Sequence, residues 1–219
     1  MVRLNDKRKL FVAIAGNIGA GKTSLTRLLS QALGWRAHYE KIVDNPYLAP
    51  FYDDMPRWSF HLEIFFLIHR FKAQKEISAW PDSCLQDRTI YEDVAVFART
   101  LHDLGYLSAK DYENYLLLYS TMSDYLRQPD LIIYLQTPVN KLIESILKRE
   151  RDFELAIDPN YLSHLNRAYD LWAGQAEQEG LRILTIDTRN KNFEEHKEDL
   201  EMLVTYIREM ENQSWLGMD

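Results

Sequence analysis

Gly16, Gly21, Lys22 and Thr23 satisfy the spacing G-x-x-x-x-G-K-[ST], inside the stretch FVAIAGNIGAGKTSL that runs from Phe11 to Leu25. An apolar, strand-like run precedes the motif and an amphipathic pattern follows it, which is the context this chemistry needs. Glycine lets the backbone curl until successive N–H groups converge on a phosphate, and the following helix adds positive potential from its N-terminus. The loop Gly16, Asn17, Ile18, Gly19, Ala20 and Gly21 is therefore expected to wrap a triphosphate. Lys22 would reach its β- and γ-phosphates, and the Thr23 hydroxyl would ligate Mg²⁺. The bland alternative is a glycine-rich strand-to-helix turn that binds nothing.

Carboxylates follow two later strand-like runs. Glu40 stands at the end of the second, and Asp87 with Arg88 at the lip of the third. An aspartate there can hold Mg²⁺ or its waters. An arginine beside it can neutralise charge on a transferring phosphoryl group or hold a carboxylate. Alone, the pair reads equally well as a surface turn, and Glu40 as a solvated strand end. A basic cluster, Lys148, Arg149 and Arg151, followed by Glu154, closes another helical pattern. It suits either the dipole at a helix C-terminus or a basic lid, near residues 148–158, closing over phosphates.

The elements that must position these groups alternate. Strands are predicted at Leu10–Gly16, Arg36–Glu40, Ser83–Asp87, Leu131–Gln136 and Arg182–Ile186. Helices are predicted near Lys22–Leu33, Trp58–Ser78, Glu92–Leu104, Ala109–Leu126, Val139–Arg149, Pro159–Gln178 and Phe193–Met210. In TPVNKLIESILKR, Thr137 can cap, Pro138 suits the first helical position, and Val139, Leu142, Ile143, Ile146 and Leu147 recur at helical spacing. Such alternation predicts an α/β fold of the P-loop NTPase type, a five-stranded parallel sheet with helices on both faces, in one domain spanning 1–219. In such sheets ligands bind at the carboxyl ends of the strands.

The chain has 219 residues, 33 acidic against 26 basic, for a net charge of −7. That balance argues against nucleic acid or an anionic membrane as partner, though not against a small anion held by a few arginines. One cysteine, Cys84, leaves no intrachain disulfide and fits a reducing, cytoplasmic setting. No apolar run approaches the roughly 18 residues of a membrane span. Leu10–Ala15 is too short for a signal peptide and lacks a cleavage site.

Four segments, GNIGAGKTS, DNPYLAPFYDDMPRWSFHLEIFFLIHRFKAQ, QDRTIYEDVAVFA and KRERDFE, together resemble the deoxynucleoside kinases in order and spacing, over nearly the whole chain. The look is nearest to the bacterial deoxyadenosine and deoxyguanosine kinases. The resemblance implies ATP and Mg²⁺ as cofactors and phosphorylation of a purine deoxynucleoside at its 5′-hydroxyl. It implies that Glu40 contacts that hydroxyl as general base and that Asp87 and Arg88 form the acidic-Arg-Ser motif, with Thr89 in place of serine. Tyr52 and Glu154 would hold the 3′-hydroxyl, Arg149 and Arg151 the phosphates, and Phe97 the base. Arg70 and Asp93 would line the base pocket, and Asp187–Phe193 would pack on the adenine of ATP.

Glu63 stands where the family commonly has glutamine. An ionised carboxylate only accepts, which suits the adjacent N1–H and N2–H₂ donors of guanine. Adenine and cytosine would face a lone pair unless Glu63 is protonated. The alternative is that Glu63 is salt-bridged to Arg70 and does not touch the base.

Two rival readings remain in view. A GTPase-type switch needs an N-K-x-D motif, which NKLI at Asn140 lacks. A thymidylate-type monophosphate kinase must bind an acceptor that already carries phosphate, whereas Glu40, Tyr52 and Glu154 suit neutral hydroxyls. Finally, YENYLLLYSTMSDYL and LEIFFLI are apolar nearly all round. Such helices are either doubly buried or form a helix–helix homodimer interface, which the resemblance favours.

Overall fold

The computed structural model describes residues 8–40, 45–149, 151, 154 and 156–212. Strands β1 (Phe11–Gly16), β2 (Arg36–His38), β3 (Cys84–Asp87), β4 (Leu131–Gln136) and β5 (Ile183–Asp187) form one sheet in the order β2-β3-β1-β4-β5. All neighbours run parallel. Every residue of β1 is buried, whichever way its side chain points, so helices cover the sheet on both faces. That is why FVAIAG is a continuous apolar run rather than an alternating one.

Helix α1 (Lys22–Leu33) lies against β1, β2 and β3, with α9 (Lys197–Asn212) packed on it. Helix α8 (Pro159–Gln178) lies against β4 and β5. The chain leaves β1 toward β2 and leaves β3 toward β4, on the other side of β1. The crevice at such a reversal opens beyond the carboxyl ends of β1 and β3. Register brings those ends together: Ile14 pairs with Asp87, and the Arg88 N–H donates to the Ile14 carbonyl at 3.0 Å.

The α8 boundaries are those the sequence predicts, because Asp158 caps the Asn160 N–H and Pro159 opens the helix. The bounds of α1 and β4 are also those predicted, and other boundaries move. Strand β2 stops at His38, leaving Glu40 beyond the ladder. The short helix α2 (Leu48–Asp53), which carries Tyr52, was not anticipated. Helix α3 starts early, at Met55, and runs to Ala79, with Asp54 capping the Arg57 N–H. Helix α7 (Val139–Lys148) starts after Pro138 without a side-chain cap, because Thr137 instead bonds the Thr188 hydroxyl at 2.8 Å.

The predicted helix near Glu92–Leu104 is three pieces: α4 (Ile90–Glu92), a π-helical segment (Asp93–Ala98) and α5 (Arg99–Asp103). A π turn re-aims side chains relative to a regular helix and is frequent at functional sites. Here Asp93 reaches Arg70, and Phe97 lies under Arg88. Helix α6 (Ala109–Ser123) packs on α3, yet Tyr115 is its one fully buried residue, and Leu117 is 67% exposed. A doubly buried core helix is thus excluded within the single chain.

Candidate active site

The loop after β1 curls over the N-terminus of α1. Gly21, the residue before α1, has φ 91°, in the left-handed region that favours glycine. Gly19 has φ 86°, and a Cβ there would stand 2.7 Å from the Leu142 carbonyl oxygen of α7. The motif does not require this third glycine; the helix beneath it does. The Asn17 amide donates to the Leu162 carbonyl at 2.9 Å and to Asn166 at 2.6 Å, fastening the loop to α8. Lys22 is buried and its ammonium donates to the Asn17 carbonyl at 2.9 Å. Burial and the Arg88 charge lower its pKa to about 7 against the pull of Asp87, Glu40 and Glu92. A triphosphate here would supply the negative charge this ammonium lacks.

Asp87, at the end of β3, accepts from the Thr23 hydroxyl at 2.5 Å through Oδ2, while its buried Oδ1 has no partner. Burial raises its pKa, opposed by Lys22. A hydroxyl and an orphaned carboxylate oxygen beside a phosphate loop fit Mg²⁺, which takes one or two protein oxygens and completes its shell with phosphate and water. No cluster of three or more His, Cys, Asp or Glu metal ligands occurs among the described residues.

Arg88 follows with φ 65°, among the described residues the one non-glycine with positive φ. Such a conformation costs on the order of 1–3 kcal/mol and is found where surroundings over-determine it. Its guanidinium lies 4.4 Å over the Phe97 ring, and its Nε is 3.3 Å from Glu40 Oε1. Glu40 also accepts from Arg70 Nη2. Burial alone would raise the Glu40 pKa, but Arg88, Arg70 and Lys22 together hold it down to about 2. Glu40 is therefore a fully ionised acceptor, weak as a base and strong as an anchor.

Helix α3 shows its function in what it buries. Ser59, Leu62, Glu63, Leu67, Arg70, Gln74 and Ile77 form its buried stripe at helical spacing. Charges rarely lie on such a stripe unless they are paired or used. Arg70 spends Nη2 on Glu40 and Nη1 on Asp93, at 2.6 Å. Glu63 is 3% exposed and its Oε2 has no partner. Burial and the nearby Asp93 raise its pKa to about 8, despite Arg70. The expected alternative of a Glu63–Arg70 salt bridge is not formed.

One cavity gathers Lys22, Thr23, Glu40, Tyr52, Glu63, Arg70, Arg88, Phe97, Arg149 and Glu154. Asp93 stands behind it, reaching it through Arg70. Glu154 is buried; its Oε1 accepts from Arg151 at 2.8 Å and its Oε2 is unpartnered. Arg151 thus lines neither cleft and pairs on the Tyr52 side, apart from Arg149. A second cleft, of about 530 Å³, runs along the other side of the loop past Thr137, Lys141, Lys148 and Arg149 to Thr188, Lys191, Asn192 and Phe193. The last four belong to the 187–193 segment singled out from the sequence. The two spaces share Gly19 and Arg149. Of the segment near 148–158 expected as a lid, residues 150, 152, 153 and 155 lie outside the described residues.

Sequence reasoning missed Tyr161 and Phe66 on the cavity wall, and Asn166, Tyr169 and Glu92 behind it. Tyr161 and Tyr169 sit at helical spacing among apolar neighbours, which reads as core; nothing but the fold distinguishes them.

The profile of the deoxynucleoside kinase family matches residues 12–211. The chain belongs to that family. Relatives of this deoxynucleoside kinase include the deoxyadenosine/deoxycytidine kinase of Bacillus subtilis (strain 168), 39% identical over 163 residues, 74% of this chain and 75% of that protein. The deoxyguanosine kinase of the same organism is 37% identical over 206 residues, 91% of this chain and 97% of that protein. In structure the chain is similar to the deoxyadenosine kinase of M. mycoides solved with dCMP and dCDP. The TM-score is 0.82 at 28% identity, covering 91% of this chain and all of that one. The fold is thus the P-loop NTPase-type α/β fold that the alternation of elements predicts.

Proposed function

We propose that this enzyme transfers the γ-phosphoryl group of ATP to the 5′-hydroxyl of a purine 2′-deoxynucleoside. The observation that carries the reading is the meeting of two spaces at Gly19 and Arg149, with Lys22 beside them and Glu40 on the acceptor side. ATP lies in the cleft along 188–193, its phosphates on the loop and its Mg²⁺ on Thr23 and Asp87. The nucleoside lies in the cavity, with its 5′-hydroxyl on Glu40, its 3′-hydroxyl on Tyr52 and Glu154, and its base between Phe97 and Glu63. Phosphoryl transfer passes through a loose transition state, so positioning and charge stabilisation do most of the work. A carboxylate held near pKa 2 is adequate, because it needs only to orient the hydroxyl and accept a proton as the P–O bond forms.

Arg88 and Arg149 supply the positive charge at the junction; arginines in such roles are worth roughly 10³–10⁵ in rate. Arg151 holds Glu154 on the sugar in this arrangement, and the chain is read as one domain whose basic segment near 148–158 serves as its lid. The acceptor side presents three carboxylates, Glu40, Glu63 and Glu154, which suits an unphosphorylated acceptor and disfavours a monophosphate.

The base is a purine in the relatives named for deoxyguanosine or deoxyadenosine. A guanine preference resting on an ionised Glu63 does not follow at neutral pH, where burial keeps this carboxyl protonated. A neutral acid both donates and accepts, and pairs with guanine, adenine or cytosine. Guanine and adenine both fit this form, and the reading is a kinase of deoxyguanosine and/or deoxyadenosine.

Leu117 and Leu118 on α6 and Ile68 on α3 are exposed on two helices packed together, which supports a homodimer through that face. No described helix is long and apolar enough to cross a membrane. The free thiol of Cys84 supports a cytoplasmic enzyme.

A coupled ADP-release assay against deoxynucleosides and their monophosphates tests the reading. Turnover of deoxynucleosides, lost in Lys22→Ala, is expected; turnover of monophosphates alone would overturn it.

A further inference from the structure

Two fully buried polar side chains, Glu92 and Tyr169, line neither the acceptor cavity nor the donor cleft. Their protons can be accounted for link by link. The Tyr169 hydroxyl is 2.5 Å from Glu92 Oε2 and 2.9 Å from Arg88 Nη1. A guanidinium only donates, and a carboxylate only accepts. The phenol therefore gives its proton to Glu92 and turns a lone pair to Arg88. Burial raises the Tyr169 pKa well above its ordinary value, so it keeps that proton. Glu92 accepts in addition from the Thr89 N–H at 2.8 Å and the Gly16 N–H at 3.4 Å. Arg88 Nη2 closes the circuit on the Gly16 carbonyl at 3.4 Å.

The Tyr169 ring is fixed independently of its hydroxyl. It stacks on Tyr134 at 5.6 Å with an interplanar angle of 12°, and meets Phe97 edge-on at 6.0 Å. One phenol on α8 thus ties together the end of β1, the turn after β3 and the guanidinium between them.

We propose that Tyr169 is a positioning residue for phosphoryl transfer: its hydroxyl, oriented by Glu92, holds the Arg88 guanidinium against the phosphate loop before either substrate arrives. Charge held in place beforehand needs no reorganisation at the moment of reaction, which is where electrostatic catalysis gains most. Without the phenol oxygen, Nη1 has no described acceptor, and Arg88 can turn fully toward Glu40. The proposal rests on the deoxynucleoside kinase reading of the site.

Tyr169→Phe keeps the ring contacts and deletes the link. At saturating ATP and deoxynucleoside it should lower kcat at least tenfold, with both KM values within threefold of wild type. In an Arg88→Lys background, where no guanidinium remains to be held, the same change should cost less than threefold. A kcat within twofold of wild type would overturn the proposal. So would a raised KM at constant kcat, or an equal loss in both backgrounds, which would mark Tyr169 as a packing residue. If Tyr169→Phe fails to fold, Glu92→Gln serves instead: an amide has one acceptor end where the carboxylate has two, so a donor meets either the phenol or the Thr89 N–H and the circuit is broken in both orientations, and the same split between kcat and KM is expected, wild-type kcat overturning the idea. Wild type inactive on every deoxynucleoside would sink the underlying kinase reading. An active wild type with an indifferent Tyr169→Phe sinks the positioning role alone.

Discussion

Glu63 and Arg70 lie seven residues apart on the buried stripe of α3, and no ion pair joins them. Arg70 has committed its two terminal nitrogens to Glu40 and Asp93, so Glu63 faces the cavity without a cation of its own. The charged and titratable groups around it are Asp93, Arg70, Arg88 and Glu40, with the phenols of Tyr115 and Tyr161 also close by.

Base selectivity should therefore depend on pH. Burial raises the Glu63 pKa to about 8, so the carboxyl is neutral below that value and ionised above it. The neutral form pairs with guanine and adenine, whereas the ionised form presents only acceptors and turns away the adenine ring nitrogen. The ratio of kcat/KM for deoxyguanosine over deoxyadenosine should rise at least tenfold between pH 6.5 and 9.5, roughly 1.4 kcal/mol. In Glu63→Gln it should be flat. A flat ratio in wild type would show that Glu63 does not read the base.

Glu40→Gln should lower kcat by about 10²-fold or more, the usual scale for a lost general base, with little change in ATP affinity. Because Arg88 and Arg70 hold Glu40 near pKa 2, its ionisation should leave no acidic limb in the pH–rate profile above about pH 4. A kcat that barely moves while the nucleoside KM rises would make Glu40 a sugar anchor only.

The sugar should be read at its 3′ carbon. Glu154 Oε2 is buried and unpartnered, and a site built for a hydroxyl rejects its absence strongly. 2′,3′-Dideoxynucleosides should lose at least tenfold in kcat/KM, and ribonucleosides should be poorer than deoxynucleosides, because Tyr52 on the cavity wall would crowd the 2′ position of a sugar bound as proposed. Equal turnover of guanosine and deoxyguanosine would contradict this.

Gly19→Ala should be worse than Gly21→Ala. Both have positive φ, which costs an L-residue about 1–2 kcal/mol, but only at Gly19 does a Cβ also meet backbone, the Leu142 carbonyl at 2.7 Å. Thermal unfolding should rank the variants Gly21→Ala above Gly19→Ala, and a reversed ranking would mean that α7 gives way freely.

What the sequence could show depended on whether chemistry leaves a mark on residue type. Gly16, Gly21, Lys22 and Thr23 do, because only those residues build the loop. Asp158 and Pro159 likewise start α8 by local rules. The π turn at Asp93–Ala98 leaves no compositional mark, so DVAVFA read as ordinary helix. Helix α2 escaped because LAPFYD is short and contains proline. Tyr169 was invisible because its apolar ring satisfies the core pattern while its hydroxyl works elsewhere. The protonation of Glu63 was open because it is set first by burial and next by Asp93, which only the fold brings beside it.

If ATP and the nucleoside lie as proposed, the meeting of the two spaces at Gly19 and Arg149 makes water a rival nucleophile. Whenever ATP waits alone, the chamber beyond its terminal phosphate holds solvent instead of a sugar. Idle hydrolysis is then the leak this architecture must suppress. Glu40, paired with Arg88 and Arg70, is held in place whether or not a sugar is there to receive it. In the proposed arrangement, the ATP lost while waiting is set by how well the empty chamber keeps water from the terminal phosphate.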